Sequence, residues 1–352
     1  MIKLFIAPYL NGQRELHLIA SYFKREDVGD TLFSSDEILE NFAYKNFCFV
    51  SNITESHYVL IPHPIKQHNP EIDTYLSKVR DLVNKNKKKI VVFIGGDLSH
   101  NVFIDDMIVL KGSQYGRLKK RNEIIVPPFI QDLGTRHGFQ IRRKSLLPVV
   151  GFCGWADFSG KLSWVKYYFK ILAINLSKII FHNSNLEVFK KGIFFRRKAI
   201  EVVRKSSILK SNIIIRKSFS GNLKTVSKSV GEVRDEYVKN IIGSDFILAP
   251  KGDGNFSLRF YETLSMGRIP VFIDTDCVLP LEKYINYEDV LVRIPYQNID
   301  KLDFIIRGAY DSWSEEEFIS KQKMARELFL SSLRYDSFFN LLFSKPLEEW
   351  LD

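Results

Sequence analysis

Cysteine is scarce in this chain. Its three cysteines, Cys48, Cys153 and Cys277, lie far apart and form no CxxC pair. That argues against a disulfide framework or a zinc knuckle and fits a reducing compartment. Long apolar runs are also missing, since none reaches the ~20 residues that cross a bilayer. The opening MIKLFIAPYLNG stops at Asn11-Gly12 with no small-residue cleavage site, so it reads as a first buried strand and not as a signal peptide. There is no internal repeat and no low-complexity linker. His57, His63 and His68 lack tight metal-ligand spacing and read as loop histidines.

What is present suits a globular chain. Hydrophobic residues make up 45% and charged residues 26% of 352 residues, enough for two α/β domains of ordinary size. The net charge of +10 is concentrated. Residues 187–228 hold twelve Lys/Arg against two Glu, which accounts for all of it. Such a patch suits an anionic partner, whether nucleic acid, a membrane surface or a phosphorylated or acidic glycan acceptor, or equally a solvated helix face.

Short apolar runs bounded by polar, Gly or Pro residues predict buried parallel strands. In the first half these are Lys3–Ala7, Phe47–Ser51, Tyr58–Ile61, Ile90–Ile94, Met107–Leu110 and Ile124–Val126. In the second half they are Pro148–Cys153, Asn212–Ile215, Asp245–Ala249, Ile269–Ile273 and Val290–Ile294. Helical patterns alternate with them; in Glu71–Asn86 the residues Ile72, Tyr75, Leu76, Val79, Leu82 and Val83 form one stripe. The expected fold class is α/β, with two Rossmann-like doubly wound domains facing across a cleft. The expected divisions are 1–144, 145–315 and a helical tail, 316–352, which crosses back to the first domain. Ser314 and Glu317 predict a capping box at the start of that tail.

The densest signal is Asp245–Ile273, read as strand, glycine loop, helix, tight turn and strand. Ligands in doubly wound sheets bind beyond the carboxyl ends of the strands. The loop Lys251-Gly252-Asp253-Gly254-Asn255 falls at that end. Gly252 and Gly254 are expected to let a phosphate approach the main chain. The following helix start offers free N–H groups, Ser257 a hydroxyl and Arg259 a forked guanidinium, all suited to a diphosphate. Glu262 suits two ribose hydroxyls. Leu258, Tyr261 and Leu264 are expected to face the core, and Gly267 to stop the helix.

The run SDFILAPKGDGNFSLRFYETLSMGRIPVFIDTDCVLPLEKYINYEDVLVRIP resembles the core motif of the exostosin-like glycosyltransferases. Ser244, Phe246, Pro250, Gly252, Gly254, Ser257, Arg259, Tyr261, Glu262, Gly267, Ile269, Pro270, Val271 and Leu279-Pro280 carry the resemblance. Gly95-Gly96-Asp97, the EIIVPP strand, the VGFCG strand and Arg196-Arg197 are looser echoes. The resemblance implies a GT-B fold, a UDP-sugar donor and an inverting transfer. It also implies a glycan or lipid-linked glycan acceptor, and no cofactor beyond the donor. Many eukaryotic members of the family have a membrane anchor, and none is expected here. The segment Ser159–Asn185 is longer and more apolar than the family leads one to expect. Both departures point to surface-polysaccharide synthesis in a microbe or virus, in the cytoplasm or peripheral at a membrane.

An inverting transfer needs a base. The candidates are Asp97, after the strand at Ile90–Ile94, its neighbour His100, and Asp157, after the VGFCGW strand. Asp274-Thr275-Asp276 imitates a metal-binding DxD but reads as a loop feature, and no metal site is expected. Trp164–Phe181 mixes aromatics with Lys166, Lys170 and Lys178. It suits a core helix or, with the basic segment, peripheral membrane contact through 161–228. No nucleic-acid partner is expected. Two other readings remain open: a GDP-fucose transferase, and a non-catalytic glycan- or nucleic-acid-binding protein on the same scaffold.

Overall fold

The structure, a computed structural model, describes residues 1–24, 42–66, 69–95, 106–156, 190–216 and 230–351, together with Val165, Phe169, Leu172 and Ala173. The first sheet contains β1 (Ile2–Ile6), β2 (Phe47–Val50), β3 (Tyr58–Leu60), β4 (Lys89–Ile94), β5 (Ile108–Lys111) and β6 (Glu123–Ile125). Its order is β2-β1-β3-β4-β5-β6, with every pairing parallel. Two helices accompany it, α1 (His17–Tyr22) and α2 (Pro70–Asn86). At the start of α2 the Asn69 side chain accepts from Ile72 N, and Pro70 occupies the first turn, where no N–H is needed. Ile72, Tyr75, Leu76, Val79 and Val83 form its buried stripe. Leu82, expected on that stripe, is half-buried.

After α3 (Leu133–His137) a linker leads to the second sheet. This has β7 (Val149–Trp155), β8 (Lys210–Arg216), β9 (Phe246–Leu248), β10 (Ile269–Asp274) and β11 (Val292–Pro295). Its order is β11-β10-β9-β7-β8, again all parallel. Around it lie α4 (Gly192–Lys205), α5 (Val230–Ile242), α6 (Leu258–Ser265) and α7 (Leu302–Ser312). All eleven predicted strands are found, with ends displaced by at most two residues. Counted within each domain, both sheets begin with the order second, first, third, fourth, fifth. The chain reverses direction across each sheet between its first and third strands, and there a crevice opens for ligands. In the second domain that crevice lies between β7 and β9.

The tail is α8 (Glu315–Leu328), a π-helical turn (Phe329–Leu333) and α9 (Tyr335–Leu342). Ser314 and Glu317 form the predicted capping box. Phe338, Phe339, Leu342, Phe343 and Leu347 enter the core of the first domain beside Leu4, Phe47, Tyr58 and Phe93. Each large side chain so buried contributes roughly 1.5–3 kcal/mol, which binds the tail to the first domain. Arg326 on α8 donates to Asp132 at 2.5 Å and to the Ser265 carbonyl at 2.6 Å, joining α3, α6 and α8.

The loops after β5 and β10 meet. Tyr115 bridges Cys277, Gly116 N donates to Asp276 O at 2.8 Å, and Arg117 pairs with Asp276 at 2.7 Å. Both loops leave the carboxyl ends of their strands, so the two carboxyl ends face each other. The result is the expected α/β architecture of two doubly wound domains across a cleft, with C-terminal helices crossing back.

Candidate donor site

The loop Lys251–Ser257 leaves β9 at the crevice between β7 and β9 and runs into α6. Gly252 N donates to Phe256 O at 2.7 Å, which closes the loop on itself. Neither Gly252 nor Gly254 takes a positive φ. A Cβ on Gly252 would find only ordinary contacts, the nearest at 3.5 Å. The need for glycine lies instead on neighbouring elements. A Cβ on Gly192, the first residue of α4, would stand 2.1 Å from Lys251 O and 2.2 Å from Gly252 O. Only a glycine lets α4 pack so close to the loop.

Arg259 sits on the first turn of α6, as expected. Its Nη2 donates to Cys153 O at 3.0 Å, and its guanidinium lies 4.4 Å from the centre of the Phe152 ring. Both partners are on β7, so Arg259 spans the crevice. Its buried Nε has no hydrogen-bond partner among the described residues. Gly154 follows on β7 with φ +153°, and a Cβ there would stand 2.8 Å from Arg259 Nη2.

Arg196, on α4, approaches from the other side. It donates to Trp155 O at 3.3 Å and to Lys251 O at 3.4 Å, and its buried Nε also lacks a partner among the described residues. Burial and the nearby Arg259 guanidinium lower its pKa to about 10, with exposed Asp253 opposing the fall. Two like charges therefore share a partly dry space. That arrangement costs free energy until an anion joins it.

Glu262 is nearly buried and already engaged. Oε1 accepts from Arg234 Nη1 at 3.0 Å, and Oε2 accepts from the Tyr237 hydroxyl at 2.5 Å. A carboxylate has about four acceptor positions, so each oxygen keeps one. Burial pushes the Tyr237 hydroxyl well above its usual pKa, and the Glu262 charge adds to this, so it remains a donor.

Ser257 takes the cap position of α6 in an extended conformation, and its hydroxyl makes no capping bond. Gly267 ends the helix at φ +60°. Its N–H donates to Leu264 O at 2.9 Å and that of Arg268 to Thr263 O at 3.0 Å, the paired bonds of a left-handed helix stop. Tyr261 and Leu264 are buried as expected, whereas Leu258 is 44% exposed. Leu258 is the first helical residue, and the inward face of this short helix starts at Phe260.

Two expected ligand contacts face elsewhere. Lys251 is buried and its ammonium donates to the Tyr115 hydroxyl of the first domain at 2.9 Å. Burial lowers its pKa to about 8. Asn255 is 1% exposed; its amide donates to Gln114 O, Thr275 O and Asp276 O, and it accepts from Thr275 Oγ1 at 2.6 Å. Both residues brace the loop against the domain junction. Asp274 accepts from the Asp276 and Cys277 amides and pairs with Arg293, and Asp276 pairs with Arg117. Among the described residues no group of three or more His, Cys, Asp or Glu is placed to hold a metal ion.

His63 is buried and neutral. Its Nε2 accepts from Leu10 N at 2.8 Å and burial lowers its pKa, while Arg14 O lies 3.1 Å from Nδ1. Asp97, His100, Asp157 and His68 lie outside the described residues. So does most of Trp164–Phe181, of which Val165, Phe169 and Leu172 are helical and exposed. No helix of the described residues is long and apolar enough to cross a membrane. In the basic segment, Arg216 pairs with Glu236, Lys198 with Asp300 and Lys205 with Glu201. Arg196 of the same segment belongs to the site. It was legible as part of a charge run and, with Arg197, as a loose echo of the family; Gly154 was legible as the end of the VGFCG echo, and Arg234 and Tyr237 gave no signal in the sequence.

Two doubly wound domains facing across a cleft, with a cationic loop at the crevice of the second, make up a GT-B architecture. Residues 188–309, about a third of the chain, match the family described as the Exostosin GT47 domain, which supports a glycosyltransferase of the exostosin-like kind. No curated protein sequence matches it. Among solved structures it is similar to a glycosyltransferase from Rickettsia africae ESF-5, at 13% identity over 98% of this chain and 97% of that one, with a TM-score of 0.42. It is also similar to TarM, at 14% identity over 84% and 52%, with a TM-score of 0.35. A third likeness is to WaaG, a glycosyltransferase involved in lipopolysaccharide biosynthesis, at 11% identity over 98% and 100%, with a TM-score of 0.37. Likenesses this loose say nothing of donor or acceptor.

Proposed function

We propose that this glycosyltransferase takes its sugar from a UDP-sugar and transfers it with inversion to a glycan hydroxyl in surface-polysaccharide synthesis. One observation carries the donor reading: Arg196 and Arg259 converge on the loop after β9 with surplus positive charge and unsatisfied buried Nε atoms. A diphosphate supplies the missing anion. The amide-rich start of α6 and the uncommitted Ser257 hydroxyl add donors to it. As the bond from the sugar to the diphosphate breaks, charge grows on the departing phosphate oxygen, and the two guanidiniums stabilise it. Glu262, held by Arg234 and Tyr237, accepts from ribose hydroxyls through its remaining lone pairs.

The proton of the acceptor hydroxyl goes to a carboxylate or imidazole at the cleft, with Asp97, His100 and Asp157 as the candidates. The leaving group is the nucleoside diphosphate itself, whose growing charge the two guanidiniums meet, with no metal invoked. Calorimetric titration with UDP and GDP, followed by a donor-hydrolysis assay over a panel of UDP-sugars, tests the reading. Saturable UDP binding, weakened in Arg196→Ala and Arg259→Ala, is the expected result. Binding of GDP alone would replace it with the GDP-fucose reading. Binding of neither nucleotide would leave a protein that does not use a nucleotide donor.

A further inference from the structure

A second cluster of guanidiniums lies at the opposite end of the second sheet. Asp245 stands just before β9 and Arg268 just before β10, a strand's length or about 20 Å from the donor loop. Arg268 is 1% exposed, and among the described residues it pairs with no carboxylate. Its Nη1 donates to Gln140 O at 2.7 Å and its Nη2 to Ile242 O at 3.2 Å, but its buried Nε has no partner there. Arg142 donates through Nε to Asp245 Oδ1 at 2.7 Å. Asp245 is fully buried and its other oxygen accepts from Val149 N at 2.7 Å. Arg143 is exposed. Gln140, Ile141, Arg142, Arg143, Ile242 and Arg268 line a cavity of about 300 Å³. Burial and the neighbouring Arg142 charge lower the Arg268 pKa to about 10.

We propose that this cavity is a second anion site, which takes a phosphate-class oxyanion between Arg142 and Arg143, on the linker joining the two domains, and Arg268, just before β10. Three guanidiniums against the single carboxylate of Asp245 leave a surplus of two positive charges, which a dianion matches and a lone carboxylate ligand does not. Guanidinium forks suit the tetrahedral face of phosphate. The volume is ample for one phosphate with its water. The site shares no residue with the donor loop, so it stands or falls independently of the UDP reading.

The test is a titration of inorganic phosphate into the full-length chain by calorimetry, with ionic strength held constant by chloride. Wild type, Arg259→Ala and Arg143→Glu are compared. Arg143 is exposed, so its replacement spares the core. Saturable uptake is expected in wild type and in Arg259→Ala, whose donor loop is disabled. Arg143→Glu should weaken it at least about tenfold, since a charge-assisted bond becomes a repulsion. No saturable uptake by Arg259→Ala, or unchanged uptake by Arg143→Glu, overturns the proposal. In that event Arg268 is a linker staple satisfied by carbonyls alone.

Discussion

Replacing Arg259 with alanine should separate stability from donor binding. Among the described residues the side chain makes one hydrogen bond, to Cys153 O at 3.0 Å, and it lies over Phe152 at 4.4 Å. Losing both costs about 2–4 kcal/mol. Removing the charge also relieves Arg196, whose pKa Arg259 helps to depress. The two effects oppose, so the net loss of stability should stay under about 2 kcal/mol. Donor binding has no such compensation. Two charge-assisted bonds to a diphosphate are worth about 3–6 kcal/mol, or roughly 10²- to 10⁴-fold in affinity. Calorimetry with UDP reads the affinity, and urea unfolding reads the stability. Arg259→Lys keeps the charge but loses the fork, and should recover only part of the binding. If UDP affinity in Arg259→Ala stays within twofold of wild type, the guanidinium does not grip the diphosphate and the donor site has been misread.

Gly154→Ala should weaken UDP binding without touching a donor contact, because the new Cβ would stand 2.8 Å from Arg259 Nη2 and φ is +153°; melting should show a loss of about 1–3 kcal/mol besides. Glu262→Gln should lower stability by about 1–3 kcal/mol, since it removes the charge that pairs with Arg234 at 3.0 Å and accepts from Tyr237. It should also weaken UDP more than pyrophosphate, and equal losses for the two would remove the ribose role. Lys251→Met deletes the bond to the Tyr115 hydroxyl, a loss of about 1–2 kcal/mol, but also a charge that burial disfavours, since the Lys251 pKa falls from 10.5 to about 8. Between those values the unfolded chain binds the extra proton, so the Met variant should compare best with wild type below about pH 8 and lose ground as pH rises toward 10.5; a pH-independent difference in urea midpoints would refute this.

The strands were legible because parallel strands buried on both faces read as short apolar runs bounded by breakers, and all eleven are present. The crossing tail was legible because Phe338, Phe339 and Leu342 needed a surface to cover. Arg259 and Glu262 could be placed because both lie within one continuous βαβ unit. The residues that complete the site come from other elements. Arg196 arrives from α4, Arg234 and Tyr237 from α5, and Gly154 from β7. Only the packing of those elements shows the contact, and no local spacing encodes it. The same limit explains Lys251 and Asn255. Lying in a glycine loop they read as ligand contacts, but their partners Tyr115 and Gln114 are more than a hundred residues away, in the other domain. Leu258 was misplaced because it is the first helical residue, whereas the inward face starts two residues later, at Phe260.

That bracing implies that the donor loop is not set by the second domain alone. Tyr115 stands in the loop after β5, whose geometry is fixed beneath by a fully buried pair, Lys111 with Glu123 at 2.7 Å, and by Gln114 Nε2 donating to Glu123 at 3.0 Å. From this base Tyr115 reaches across to Lys251, and Gln114 O to Asn255. A domain movement that opens the cleft must either break these bonds or carry the loop with it. Ligand binding to the loop and the placement of the first domain are then thermodynamically linked, and each must favour the other by the same free energy. Tyr115→Phe isolates the link, since it removes one hydroxyl from the first domain and touches no group proposed to meet the donor. The lost bond should lower stability by about 1–2 kcal/mol. Through the linkage it should also weaken UDP by up to about tenfold. A Tyr115→Phe protein that loses stability but binds UDP as wild type does would show that the loop holds its shape without the first domain.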